Sequence, residues 1–111
     1  PHRIGKGSND VSLKEGMVVS NEPGYYKEND FGIRCENLIY VVKIGDVAGK
    51  KILGFKNLTF VPFDTRLFDC TILTNSEKDW INNYHSEVFE KVGKYLKEDE
   101  LLWMQNATEF I

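Results

Sequence analysis

Two residues of this chain have the type and setting to do chemistry: Glu22 and Glu36, fourteen positions apart. Glu22 closes a short apolar run at its junction with Pro23-Gly24, and Glu36 falls in a stretch rich in Ile, Val, Leu and Tyr. A carboxylate inside an apolar strand carries a heavy desolvation cost and must be compensated. Two compensations are available: an ion pair with Arg34, which shares a strand face with Glu36, or a bound cation. Glu22 taken alone reads as solvated surface beside a turn. His2 lies in a polar lead-in and His85 in a helical stretch, so each is expected to be a surface or structural histidine. Cys35 is expected to pack as a small hydrophobe. Cys35 and Cys70 have neither C-x-x-C nor Cys/His metal spacing, which argues against a zinc site or a disulfide framework and for a reducing compartment.

The elements that must position these residues follow from pattern. The chain has 111 residues, 41% hydrophobic and 13% aromatic, enough to offset the ordering entropy of a modest folded domain. With 14 Lys+Arg against 17 Asp+Glu, its formal charge of −3 provides no basic field for nucleic acid, and no apolar run spans a bilayer. Residues 1–16 read as a loop. Residues 17–21 read as a strand ending in the sharp turn Glu22-Pro23-Gly24, and residues 33–44 as one well-buried strand. Gly45-Asp46 and Gly49-Lys50 punctuate a loop, and residues 51–63 give one or two further strands, with Pro62 at an edge or end. Thr74-Asn75-Ser76-Glu77 has the form of a capping box. Trp80, Ile81, Tyr84, Val88, Phe89, Val92, Tyr95 and Leu96 then recur at helical spacing, with Gly93 a weak point, and residues 98–106 continue as a second helix. Strands first and helices last predict an α+β fold.

Taken together, the two glutamate sites resemble a known pair of motifs. Asn21-Glu22-Pro23-Gly24-Tyr25-Tyr26 followed by Gly32-Ile33-Arg34-Cys35-Glu36-Asn37 resembles the last two metal-ligand blocks of the aminopeptidase P branch of the pita-bread metallopeptidases. The resemblance continues through Leu58-Thr59-Phe60-Val61-Pro62-Phe63, and Leu73-Thr74 with the run from Asp79 to His85 resembles the C-terminal helical extension of the animal-type enzymes. The resemblance covers nearly the whole chain. It implies that residues 1–68 are the C-terminal part of a pita-bread catalytic domain, with antiparallel or mixed strands, and that residues 69–111 are the helical extension.

The same resemblance implies a cytoplasmic Xaa-Pro aminopeptidase that removes the first residue of peptides with proline second, using two divalent ions, typically manganese. Glu36 would bridge both ions, Glu22 would bind one of them, and Arg34 would orient an acidic ligand. The remaining ligands and the catalytic histidines are expected upstream of Pro1, so no catalytic residue is expected in this chain, which is expected to be inactive alone. Relatives of this branch use their C-terminal region in homodimer contacts, and Trp80, Tyr84, Phe89, Tyr95 and Trp103 form either core or part of such an interface. The triplets Asn57-Leu58-Thr59 and Asn106-Ala107-Thr108 match glycosylation sequons but are discounted for want of a signal segment. The competing readings are a pita-bread scaffold that binds without catalysis and, nearer, a prolidase-like metallopeptidase.

Overall fold

The computed structural model describes residues 11–111, in which five strands are followed by two helices. The α+β order expected from the sequence is the observed one. Pro1 and His2 lie outside the described residues. The chain forms two compact units, Pro1–Thr59 and Phe60–Ile111. Among the described residues no helix is long and apolar enough to cross a membrane.

In the first unit, β1 (Val18–Asn21), β4 (Asn37–Val47) and β5 (Lys50–Asn57) make an antiparallel sheet in the order β1-β4-β5. β2 (Gly24–Tyr26) and β3 (Gly32–Arg34) pair antiparallel as a second, two-stranded sheet. One face of the larger sheet carries Val19 and Val41, both buried, and Asn37, which is 1% exposed. β4 and β5 join through Ala48-Gly49, whose φ angles of 49° and 75° are the positive pair that a tight two-residue hairpin turn requires.

Three expectations are corrected here. The buried strand expected over residues 33–44 is two strands, β3 and β4, interrupted at Cys35-Glu36, so Glu36 is not enclosed in an apolar strand. Gly24 to Tyr26, read as a turn and its exit, is a strand because Gly32 to Arg34 returns alongside it. Gly45-Asp46 is not a loop: a bulge between Lys43 and Gly45 absorbs one residue, and β4 continues to Val47.

In the second unit, α1 (Asn75–Val92) begins with the expected capping box: Thr74 Oγ1 accepts from the Glu77 N–H and the Glu77 carboxylate accepts from the Thr74 N–H. Its buried stripe is Ile81, Tyr84, His85 and Val88. Tyr84 and Val88 form a core with Met104 of α2 (Glu98–Ala107), packed further by Phe60, Phe63, Phe89, Val92 and Leu96. Fully burying one such side chain contributes about 1.5–3 kcal/mol.

Residues 58–63 are not a strand. The Leu58 and Thr59 N–H groups still reach the Leu38 carbonyl of β4, and beyond them the backbone turns to α1: the Tyr84 hydroxyl donates to the Val61 carbonyl at 2.9 Å, and the Phe63 N–H donates to His85 Nε2 at 3.1 Å. Pro62, with no N–H, fits a segment docked in this way. α1 ends at Val92 and gives way to a 3-10 turn over Gly93–Tyr95, which leaves Tyr95 exposed. Trp103 and Trp80 are also exposed, so of the five C-terminal aromatics Tyr84 is the one in the buried core.

Candidate metal centre

The two glutamates meet because two hairpin segments share one register. Asn21 stands opposite Asn37 in the β1/β4 pair, and Gly24 stands opposite Arg34 in the β2/β3 pair. No residue is gained or lost between these pairs, so Glu22 stands opposite Glu36 and Pro23 opposite Cys35. The Cys35 N–H donates to the Pro23 carbonyl at 2.9 Å and carries the ladder across the break. Pro23 has no N–H to return, which explains why regular pairing lapses where the acids sit.

Arg34 holds both carboxylates. One guanidinium nitrogen lies 3.0 Å from Glu22 Oε2 and 3.6 Å from Glu36 Oε2, so the two oxygens are no farther apart than those distances combined. Ser20 Oγ donates to the other oxygen of Glu22 at 2.5 Å. Both acids are partly open to solvent, with side chains 35% and 43% exposed for Glu22 and Glu36. The heavy burial cost expected for Glu36 therefore does not arise in this chain, while the expected pairing with Arg34 does.

Arg34 is itself fixed by Tyr26, whose hydroxyl accepts from Arg34 Nε at 2.8 Å. That contact, followed by the charge of Glu22 and then Glu36, holds the guanidinium pKa above its ordinary value. The Tyr26 ring lies back over two glycines. A Cβ at Gly32 would stand 2.7 Å from its Cδ1, and one at Gly24 would stand 2.8 Å from its hydroxyl. Sequence reading gave Tyr26 and Ser20 no role. The signal available was register: a tyrosine opposite Gly32 has open space beside the arginine two positions on.

The donor set suits a hard divalent cation, which prefers carboxylate oxygen. Two carboxylates sharing one guanidinium leave one net negative charge for it to meet. The set is incomplete, because among the described residues no group of three or more His, Cys, Asp or Glu is placed to hold a metal ion. His85 belongs to the helical unit, where it is fully buried and accepts from Phe63, as a structural histidine does. Burial pushes its pKa down, opposed by the nearby Glu109 backbone, although Nδ1 has no well-formed hydrogen bond. Cys35 is partly buried, and desolvation pushes its thiol pKa up, the direction of an inert small hydrophobe.

Residues 51–111, more than half the chain, match the family model of the C-terminal region of peptidase M24, and residues 1–43 match that of metallopeptidase family M24. The chain belongs to the M24 metallopeptidase family. Among M24 relatives, it is 46% identical over 105 residues to the probable Xaa-Pro aminopeptidase P of Coprinopsis cinerea, covering 90% of this chain and 17% of that protein. It is 44% identical over 104 residues to aminopeptidase P2 of Arabidopsis thaliana, covering 90% and 15%. Among solved structures it is similar to the X-prolyl aminopeptidase of Caenorhabditis elegans, described as a cytosolic enzyme with a di-nuclear active site. That match has a TM-score of 0.83 at 35% identity, over 97% of this chain and 18% of that one. The chain thus spans less than a fifth of the length of the relatives it matches, and its α+β fold matches the pita-bread M24 structure.

Proposed function

We propose that this chain supplies two carboxylate ligands, Glu22 and Glu36, to the dinuclear divalent metal centre of a Xaa-Pro aminopeptidase. One observation carries the reading: in an M24 chain, an unbroken register sets Glu22 opposite Glu36, with both acids on one guanidinium. The names of the relatives and the di-nuclear site of the similar structure support it. In this proposal Glu36 would be the carboxylate shared by two manganese ions and Glu22 a ligand of one, and the other ligands and the catalytic histidines would come from the rest of a longer protein. The substrate is a peptide with proline second, and the protein works in the cytosol as a homodimer. Residues 1–68 belong to the catalytic domain and residues 69–111 to its helical extension.

A bound metal pair supplies an acidified water and Lewis-acid stabilisation of the tetrahedral oxyanion. What this chain's own residues contribute is charge and orientation. The carboxylates bring negative charge to one point, and Arg34 holds one oxygen of each, which fixes the direction in which the remaining lone pairs face. Ser20 limits the rotation of Glu22, and Tyr26 limits that of Arg34. Residues at strand ends hold such a geometry more closely than residues in a free loop.

The test is release of the first residue from a short Xaa-Pro-Pro peptide by a full-length protein containing this chain, with added manganese. Wild type is expected to release it, and Glu22→Gln and Glu36→Gln are expected to abolish release. Failure of the wild type with every divalent ion would displace the enzyme reading in favour of a scaffold.

A further inference from the structure

A line of three asparagine side chains crosses the sheet where the glutamates leave it. Asn21 Nδ2 donates to Asn37 Oδ1 at 3.3 Å, and Asn37 Nδ2 donates to Asn57 Oδ1 at 2.9 Å. The three share one face: Asn21 is directly opposite Asn37, and Asn57 is opposite Ile39, one diagonal step away. Asn37 is among the most deeply buried side chains described. On that face its neighbours in the pattern are Val19, Ile39 and Val41, so an apolar residue is the ordinary filler, and a buried amide is tolerated only when partnered.

The placement matters because Asn21 immediately precedes Glu22 and Asn37 immediately follows Glu36. β5 grips the same point of β4 through the backbone. The Leu58 N–H donates to the Leu38 carbonyl at 2.8 Å, and the Leu38 N–H donates to Thr59 Oγ1 at 2.9 Å. The tripeptide Asn57-Leu58-Thr59 is thus committed to internal bonding at both ends. Regular pairing lapses beyond Asn21 and Asn37, so these contacts are the last fixed points before the acids.

We propose that the Asn21–Asn37–Asn57 ladder is a positioning device: it sets the separation and aim of Glu22 and Glu36, and with them the affinity of the metal centre. This rests on the metal-ligand reading above and adds residues that touch neither metal nor substrate. The ladder acts through the strand ends: Asn57, on β5, holds Asn37, and Asn37 holds Asn21 on β1. A packing role alone would be served as well or better by leucine at position 37.

The experiment uses the full-length protein and reads two quantities, the melting temperature of the metal-free form and manganese affinity by competition with a chelator. Asn37→Leu is expected to melt close to wild type yet bind manganese roughly 10–100-fold more weakly, the range for residues that orient metal ligands. Asn57→Leu is expected to behave likewise, whereas Asn57→Asp, which keeps an acceptor for the Asn37 amide, is expected to restore affinity. Asn21→Ala, at an exposed position, is expected to weaken binding without unfolding and decides the matter if Asn37→Leu does not fold. Unchanged affinity in Asn37→Leu and Asn21→Ala, with Glu36→Gln abolishing binding, would overturn the ladder and leave the metal reading standing. Absence of manganese binding by wild type would instead sink the metal reading on which the ladder rests.

Discussion

Tyr26 is three-fifths exposed, and its hydroxyl accepts from Arg34 Nε. Its ring occupies the space above Gly32, where a methyl group would meet aromatic carbon at 2.7 Å. Gly32→Ala must therefore displace the ring and with it the hydroxyl that receives Arg34 Nε. In the full-length protein, Gly32→Ala and Tyr26→Phe are each expected to lower manganese affinity by about 10-fold, as losses beside a ligand do. Equal affinity in both variants and wild type would show that Arg34 is held by the carboxylates alone. His85 gives a prediction of a different kind. Its Nε2 accepts from Phe63, so the ring must be neutral at that atom, and burial lowers its pKa. The unfolded ring takes up its proton first on acidification. The stabilisation is thus fully present above the ordinary histidine range and is lost as pH falls through it. Wild type is expected to lose more thermal stability between about pH 7 and pH 5 than His85→Gln, whose amide oxygen can accept from Phe63 without titrating. Parallel losses in the two proteins would refute this.

At the scale of the element, α1 was legible to the residue at its start because its signals are local. Thr74 and Glu77 satisfy each other's backbone donors across three positions, and the apolar stripe repeats within the helix itself. Thr74→Ala removes the cap hydroxyl and is expected to cost about 1 kcal/mol of stability, measured as a shift in urea midpoint at unchanged slope. No shift would mean that α1 is held by its packed face alone. The strands were less legible because their ends are decided by partners distant in sequence. Residues 33–44 are apolar enough to suggest one strand, and nothing local marks the break at Cys35-Glu36; it exists because Pro23, opposite, cannot donate. Residues 58–63 have strand composition, but Tyr84 and His85 take the backbone groups of Val61 and Phe63. Tyr95 continues the helical period, but the chain has already tightened into a 3-10 turn at Gly93. For the site, the pair of acids and its arginine were legible as motif. Their convergence through one register, and the amides that frame it, were not, since both depend on which residues face each other across the sheet.

The whole molecule has more apolar side chain than its two small cores cover. Tyr25, Ile33 and Leu38 are exposed around the glutamates, and Tyr95, Leu102, Trp103 and Phe110 are exposed on the helical unit. Exposed large apolar side chains in this number favour association with another surface. Among the described residues, β1 and β5 also form the two edges of the three-stranded sheet, and sheet edges are where further strand pairing takes place. The relatives are more than five times longer. A preparation of the 111 residues alone has only copies of itself to cover these surfaces. It is expected to self-associate at micromolar concentration and to scatter light as dimers or larger species rather than as a monodisperse monomer. The same preparation is expected to take up manganese only weakly, because two carboxylates already shared with Arg34 leave most of an ion's coordination to water. A monodisperse monomer would show that the two units satisfy their own surfaces. Tight stoichiometric manganese uptake, abolished by Glu36→Gln, would show that the strand pair holds a metal without further ligands.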